Sequence, residues 1–184
     1  MYNFGMGIID RDFYNRDTLV VAKDLLGCKL CRRIGGKVLE GIIVETEAYK
    51  QNDPACHAYR GKTPRSATLF KMPGLSYVYF IYGMYHCVNV TTEPEETAGA
   101  VLIRALEPIN VENTNGPGKL CRALEITKEL NEVDVTDNES LLWIEYCKKY
   151  CESEIVTTTR IGIKLATDYP WRFYVKGNRF VSKL

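Results

Sequence analysis

The stretch SYVYFIYGMYHCVNV, residues 76–90, predicts a β-hairpin around which the rest of the sheet can be traced. Residues 76–82 and 85–91 are rich in β-branched and aromatic side chains, which favour strands, and Gly83-Met84 separates the two runs. Four tyrosines fall within nine residues of this stretch: Tyr77, Tyr79, Tyr82 and Tyr85. Alternate positions of a strand share one face, so the hairpin is expected to carry aromatic side chains along one face and one more at its turn.

More strands are predicted on both sides of this hairpin. They are CKLCRR and KVLEGIIVETEAY, joined by Ile34-Gly35-Gly36, then AGAVLIRALEPI, and in the tail RIGIKLA and WRFYVKGNRFVS with Gly177-Asn178 as a turn. ESLLWIEY is compatible with a strand or a short helix. Residues 50–75 contain three prolines and predict a long ordered loop, a kind of segment that is often functional.

Two helices complete the predicted elements. Asp17 can cap TLVVAKDLL, which Gly27 can end, and a second helix is expected from Lys119 onward in NGPGKLCRALEITKEL. The apolar face of the first comprises Leu19, Val20, Ala22, Leu25 and Leu26. Because strands outnumber helices, the predicted class is α+β, with a curved, mainly antiparallel β-sheet and flanking helices. Without a linker or repeat, residues 1–184 are predicted to form a single domain.

The composition is that of an ordinary globular protein, with 46% hydrophobic and 26% charged residues. No apolar run approaches the roughly 20 residues that span a bilayer, and the N-terminus does not resemble a signal peptide. The seven cysteines are predicted to be reduced and buried. Cys28 and Cys31 form a C-x-x-C motif, but no partner pair for a zinc site accompanies it.

The net charge of +1 is unevenly distributed along the chain. Residues 58–92 hold four basic side chains and no acidic one, and residues 160–184 hold six basic side chains against one acid. Between them, residues 129–154 hold eight acids. This pattern is compatible with one basic and one acidic face, or with solvated surfaces that have no partner.

Glu45, Glu47 and Tyr49 alternate within VETEAY and are expected on one face of a strand. Nearby along the chain, His57 follows in the proline-containing loop, whereas Arg104 sits in an apolar strand, where a cation needs a carboxylate partner. A buried arginine beside a glutamate would keep that glutamate ionised, as a general base requires. The alternative is a solvated strand face with salt-bridged glutamates.

Tyr82, at a turn beside a basic loop, fits insertion between stacked DNA bases. Tyr49, His57 and Tyr79 could then form a stacking slot for an extruded base. Stacking of a base on an aromatic side chain contributes about 1–3 kcal/mol, which helps to offset the cost of unstacking. Packing of these aromatic residues in the core is the competing interpretation.

Six motifs occur in this order: GIIVETEAY, HAYRGKTPR, MPGLSYVYFIYGMYHCVNV, AVLIRALEP, GPGKLCRAL and RFYVKGN. Together they resemble the alkyladenine (3-methyladenine) DNA glycosylase family over about Leu25 to Ser182. The resemblance implies a monofunctional enzyme that excises alkylated or deaminated purines from double-stranded DNA and leaves an abasic site. It also implies a protruding, DNA-intercalating β-hairpin, a monomer without metal or cofactor, and a location in the cytoplasm of a prokaryote or the nucleus of a eukaryote.

Carried onto this sequence, the resemblance implies catalytic roles for Glu47 as general base and Arg104 as a holder of the attacking water. Tyr49, His57 and Tyr79 would line the pocket around the flipped base. No lysine is expected in the pocket motifs, which argues against a lyase step through a Schiff base.

The same resemblance implies that Asn89 crowds the 2-amino group of a normal guanine and that Tyr82 intercalates. Tyr77 and Tyr85 are left as core or supporting groups. Expected phosphate contacts are Lys62, Arg65, Lys71, Lys119 and Lys176.

Two departures from the family pattern are the shorter loop between Tyr49 and His57, and His86 at a position where an aromatic residue is familiar. Two rival functions are a damaged-DNA binding protein with weak catalysis and a cysteine hydrolase that uses Cys56 or Cys87 with His57.

Overall fold

The computed structural model describes residues 7–183 of the chain. Its α-helices are α1 Arg11–Tyr14, α2 Thr18–Asp24 and α3 Pro117–Ala123. Its strands are β1 Lys29–Ile34, β2 Lys37–Lys50, β3 Ser76–Ile81, β4 Tyr85–Thr91, β5 Gly99–Pro108, β6 Leu142–Glu145, β7 Ile155–Thr158 and β8 Arg172–Val175. Short 3₁₀ turns lie at Ala67–Phe70, Lys128–Leu130 and Glu152–Glu154. The α+β class is confirmed.

The strands form one curled sheet in which every pairing is antiparallel. The strand order is β3-β4-β5-β2-β1-β6, and β8 pairs with both β2 and β7. The register between β2 and β5 shifts between Ile43 and Thr46, which marks a β-bulge. A bulge bends its strand, and here β2 passes at this point from pairing with β1 to pairing with β8.

The hairpin of β3 and β4 has the register expected from its sequence, with Phe80 opposite His86 and Ile81 opposite Tyr85. Tyr82 and Gly83 make the turn with φ angles of 55° and 67°. Glycine adopts this left-handed region at little cost, whereas a tyrosine does so with backbone strain, so the backbone of Tyr82 is strained.

Side-chain alternation gives this part of the sheet two different faces. On one face, Val78, Val88, Val90, Val101 and Ile103 pack into the main hydrophobic core. Helix α2 covers that core, and Thr46 of β2 donates a hydrogen bond to the carbonyl of Ala22 on the helix. The opposite face is built from the odd-numbered residues of β3 and β4 and borders the site described below.

Helix α2 begins where the sequence predicts, because the Asp17 carboxylate accepts hydrogen bonds from the amides of Leu19 (2.8 Å) and Val20. Its predicted apolar face is wrong in one position. Val21 is buried, whereas Val20 is 47% exposed. The buried set of Thr18, Val21, Ala22 and Leu25 follows the helical spacing of three, four and seven residues.

The C-terminal third differs most from expectation. RIGIKLA, residues 160–166, forms a loop and not a strand, and β7 at Ile155–Thr158 pairs with β8 in its place. WRFYVKGNRFVS supplies only β8. Helix α3 ends at Ala123, earlier than expected, and α1 is an additional helix.

All seven cysteines are free. Five are buried, but Cys147 and Cys151 are exposed, so the prediction of buried thiols is wrong for these two. Within residues 7–183, no helix is both long and apolar enough to cross a bilayer.

Candidate active site

A cavity of about 520 Å³ lies on the face of the hairpin opposite the main core. Its size falls in the range of small-molecule sites. The three strands β3, β4 and β5 contribute Tyr77, Tyr79, Ile81, Tyr85, Cys87, Asn89, Ala100, Leu102 and Arg104. All four tyrosines of the hairpin sequence border this cavity, and Tyr82 lies at its mouth. Tyr85 therefore lines the cavity and does not return to the core.

Glu47 is fully buried on β2, directly behind the cavity wall. Its Oε2 accepts a hydrogen bond from the Tyr49 hydroxyl at 2.8 Å. Its Oε1 accepts one from the Ile161 amide at 2.7 Å and lies 3.3 Å from Nη1 of Arg104. Two hydrogen-bond donors and one ion pair thus hold the carboxylate, and both side chains among these partners, Tyr49 and Arg104, line the cavity.

Arg104 is 7% exposed and bridges Glu45 and Glu47 of β2. Its Nε donates to Glu45 at 3.1 Å, and Glu45 also accepts from Nε of Arg172 at 2.7 Å and from the Ser182 amide at 2.6 Å. The two carboxylates and two guanidinium groups balance in charge. The partner expected for Arg104 is therefore present, and the interpretation of Glu45 and Glu47 as a solvated face is wrong.

Burial tends to lower the pKa of Arg104, but the Glu47 and Glu45 carboxylates raise it above its ordinary value. Burial and the Glu47 carboxylate raise the pKa of Tyr49 well above 10. Both groups consequently remain protonated at neutral pH and keep donating to carboxylates. Tyr49 lines the cavity with its ring while its hydroxyl holds Glu47.

His57 is held in place by two neighbours. Its Nδ1 lies 2.9 Å from the Tyr77 hydroxyl, and its Nε2 lies 3.3 Å from Arg65. The ring meets Tyr79 edge-on, with 4.7 Å between centroids. Burial and the Arg65 charge lower the pKa of His57 to about 4, so the ring is neutral at pH 7. Tyr49, His57 and Tyr79, predicted to share a pocket, do line the same cavity.

Cys56 and Cys87 also line the cavity, but their chemistry does not fit a nucleophile. Burial raises the pKa of Cys56 to about 11 and also raises the pKa of Cys87. Both nitrogens of His57 are directed at Tyr77 and Arg65 and not at a thiol. A cysteine hydrolase is therefore disfavoured.

The tip of the hairpin exposes apolar surface at the mouth of the cavity. Tyr82 is 75% exposed, Met84 61% and Phe80 49%. Deeper in, Asn89 is buried, and its side-chain amide donates to the Tyr77 carbonyl at 3.0 Å, which fixes its position in the wall.

The five basic residues predicted to contact phosphates have different surroundings. Lys119 lines the cavity where α3 begins, so the expectation of a pocket without lysine is wrong. Lys62 and Lys71 form ion pairs with Glu96 (3.3 Å) and Glu132 (2.6 Å). Arg65 contacts His57, and Lys176 is exposed just beyond β8.

Within the described part of the chain, no cluster of three or more His, Cys, Asp or Glu side chains could hold a metal ion. What the site contains is a buried carboxylate, an arginine beside it and a cavity with aromatic walls. Such an arrangement can activate a water next to a flat, aromatic ligand.

A sequence model of the methylpurine-DNA glycosylase family matches residues 12–179. The chain belongs to this family. By its family, the chain is a DNA glycosylase, a hydrolase of the N-glycosidic bond in DNA.

Several curated proteins named "Putative 3-methyladenine DNA glycosylase" are similar to this glycosylase over nearly their whole lengths. The one from Carboxydothermus hydrogenoformans is 50% identical and covers 96% of this chain and 99% of its own. The one from Alkaliphilus oremlandii is 46% identical, with 95% and 98% covered, and the one from Sodalis glossinidius is 49% identical, with 90% and 95% covered.

Two features of this glycosylase site are not predicted from the sequence. The loop Ile161-Gly162-Ile163 lines the cavity and supplies the amide that reaches Glu47, although its apolar alternation predicts a strand. Asp53 and Arg160 are both buried and form an ion pair behind Tyr49. A lone arginine before an apolar run is a signal for such a pair, but its partner cannot be named from the sequence.

Proposed function

We propose that this glycosylase is a monofunctional enzyme that flips alkylated or deaminated purines out of duplex DNA. It hydrolyses the N-glycosidic bond with a water that Glu47 activates, and it leaves an abasic site. The substrate class comprises 3-methyladenine, 7-methylguanine and hypoxanthine. Every group in the proposed mechanism comes from one chain, which supports action as a monomer.

The observation that carries the proposal is the set of donors on Glu47. A carboxylate offers about four acceptor positions. The Tyr49 hydroxyl and the Ile161 amide donate hydrogen bonds to two of them, and the Arg104 guanidinium, in an ion pair at 3.3 Å, faces a third. The remaining position is available to the attacking water, whose proton Glu47 would take. Arg104, which faces the cavity, can hold the same water from a second side.

The reaction separates charge at the sugar. As the bond between the base and C1′ breaks, its electrons leave with the base and positive charge builds on the deoxyribose. An ionised Glu47 stabilises that charge and also receives the proton of the water that attacks C1′. A purine alkylated on a ring nitrogen is already cationic and leaves as a neutral base, so it is the easier substrate.

The cavity walls support recognition of a purine. Tyr49, His57 and Tyr79 offer aromatic surface for stacking. His57 is neutral at pH 7, and its Nε2, which lies 3.3 Å from Arg65, would exchange that contact for a hydrogen bond to the edge of a base. Asn89, buried and anchored on Tyr77, would clash with the 2-amino group of a normal guanine.

The exposed hairpin tip supports entry into DNA. Tyr82 would occupy the space that the flipped nucleotide leaves, as a wedge in the minor groove. Lys119, which lines the cavity, and Arg65, which contacts His57 of the cavity wall, would contact phosphates there. Lys62 and Lys71 would first have to break their ion pairs with Glu96 and Glu132. Lys176, exposed beyond β8, would contact phosphate farther from the cavity.

The test uses a labelled duplex with one hypoxanthine, its adenine control, and enzyme in excess without added metal. Alkali reveals abasic sites as strand breaks. Three proteins are compared: the unaltered enzyme, Glu47→Gln, and Glu139→Gln, in which an exposed glutamate changes in the same way. Breaks are expected only at the lesion, with the rate reduced at least about 1,000-fold by Glu47→Gln alone while lesion binding persists.

If hypoxanthine survives, DNA containing 3-methyladenine is tested next. Tight lesion binding without cleavage of either substrate would identify a damaged-DNA binding protein instead. Failure to bind damaged DNA at all would refute the proposal. Borohydride treatment adds a check on the monofunctional step, because trapping of a covalent DNA complex would show that Lys119 or another amine attacks the sugar.

A further inference from the structure

The ion pair between Asp53 and Arg160 is the most completely buried one among the described residues, with both side chains at 0% exposure. The two residues are 107 positions apart. Nη1 of Arg160 donates to Oδ2 of Asp53, and Nη2 donates to Oδ1 at 2.9 Å. The guanidinium group thus forms a bidentate contact with the carboxylate. Two-point contacts of this kind fix orientation as well as distance.

Arg160 also ties this pair to the strand that bears Glu47. Its Nη1 donates to the carbonyl of Ala48 at 3.0 Å, and its guanidinium carbon lies 4.6 Å from the centre of the Tyr49 ring. Ala48 lies between Glu47 and Tyr49 in β2. Arg160 is not part of the cavity wall, so it supports these residues from behind.

Asp53 and Arg160 each lie at the start of a different loop that lines the site. The residue after Arg160 is Ile161, whose amide donates to Glu47. On the other side, Asp53 accepts from the Ala55 amide at 3.0 Å, and its carbonyl accepts from the Cys56 amide at 2.9 Å. His57 follows directly. The ion pair therefore joins three segments that contribute to the site: β2, the loop that leads to His57, and the loop that begins at Arg160.

We infer that the Asp53–Arg160 pair is a positioning clamp for the glycosylase reaction: it sets the Ile161 amide on Glu47 and the loop of His57 against Tyr49. The inference rests on the proposed function. Neither residue touches the reacting atoms. Their effect is transmitted through the geometry of Glu47 and of the base slot, where misplacement by about 1 Å lowers a rate by about 100-fold.

A purely structural pair would make a different prediction. Removing one partner leaves a buried, uncompensated charge and destabilises the fold, whatever the role of the pair. Replacing both partners with uncharged residues of similar shape leaves no unpaired charge in the interior, and we expect it to cost less. The informative variant is therefore the double substitution Asp53→Asn with Arg160→Gln. Its control is Arg11→Gln with Asp134→Asn, an ion pair that joins residues 123 positions apart and lies outside the cavity wall.

Two readouts are compared, neither of which falls merely because some molecules are unfolded. The first is the single-turnover rate constant for lesion excision with enzyme in excess, which is taken from the time course and not from its amplitude. The second is the amide proton resonance of Ile161 in ¹⁵N-labelled protein. A proton donated to a carboxylate resonates downfield, and it moves upfield when that bond is lost.

The clamp predicts a rate constant lowered by about 10- to 100-fold in the neutral double variant, with an upfield shift of the Ile161 amide. The Arg11/Asp134 double variant should change neither. An unchanged rate constant or an unchanged resonance in a folded Asp53/Arg160 variant would overturn the inference alone. If the unaltered enzyme excises no lesion, the proposed function is overturned and the inference falls with it.

Discussion

His57 shows how one partly buried ring links the site to the stability of the protein. Burial and Arg65 lower its pKa to about 4, whereas in an unfolded chain histidine titrates near about 6.5. Between these values the unfolded chain binds a proton that the folded chain does not. The free energy of unfolding therefore falls as pH decreases from about 6.5 to about 4.

We expect His57→Gln to remove part of this dependence. The difference in unfolding free energy between pH 7 and pH 4.5 should shrink by about 1–2 kcal/mol, less than the full pKa shift implies because the ring is partly exposed and screened. Denaturant titrations at the two pH values measure it. His86→Gln, which changes the other histidine, is the control. An equal pH dependence in His57→Gln and the unaltered protein would contradict this prediction.

Residue identity predicts only some of the site. Arg104 in an apolar strand requires a carboxylate, and Glu45 and Glu47 stand in another predicted strand, so their pairing follows from the cost of a lone buried charge. Arg160 poses the same requirement. Its partner, Asp53, lies in a loop with turn residues around it, and no local signal distinguishes that carboxylate from the exposed ones.

At the scale of elements, the hairpin tip combines strain with exposure. Tyr82 has a left-handed φ of 55° and is 75% exposed, so the fold gains little from its ring. Left-handed backbone costs an ordinary residue about 1–2 kcal/mol, and asparagine tolerates it better. The position therefore favours a small polar residue for stability, and we attribute the tyrosine to DNA binding.

Tyr82→Asn should accordingly stabilise the protein and weaken its binding to damaged DNA. We expect the unfolding free energy to rise by about 0.5–1 kcal/mol and the affinity for a lesion duplex to fall about tenfold or more. Denaturant titration and fluorescence anisotropy measure the two effects. Tyr59→Asn is the control, since Tyr59 is 51% exposed without a left-handed φ. Loss of stability in Tyr82→Asn would contradict the strain argument.

Strand patterns identify β1 to β5 well, because each has glycine-containing turns and alternating or continuous apolar residues. RIGIKLA has the same alternation but forms a loop. Its Arg160 is buried in an ion pair with Asp53, and its Ile161 amide donates a hydrogen bond to Glu47, so neither residue is free to follow a strand. These contacts involve distant parts of the chain. Local periodicity does not contain these long-range contacts, so it cannot predict that β7, and not RIGIKLA, pairs with β8.

At the scale of the whole molecule, the charge pattern bears on how DNA binding responds to salt. Binding that neutralises one phosphate adds about 0.9 to the slope of log K against log salt. Lys119, at the cavity wall, has no carboxylate partner among its described contacts, whereas Lys71 is paired with Glu132 at 2.6 Å. A phosphate gains less from a lysine that must leave a carboxylate.

We therefore expect Lys119→Gln to reduce the salt slope by about 0.9 and Lys71→Gln to reduce it by clearly less. Anisotropy titrations of one lesion duplex at several salt concentrations measure both slopes. Equal reductions would show that the ion pair with Glu132 does not limit the contribution of Lys71.

Strand β2 is hydrogen-bonded to β5 along most of its length, and on its other side to β1 and then to β8. Amides enclosed in this way exchange with solvent only when much of the sheet opens. The amide of Glu47, paired on both sides, is therefore expected to exchange among the slowest of the described residues. The hairpin tip and the loops around the cavity lie outside these pairings, so we expect them to open locally at a lower free energy while β2 stays paired.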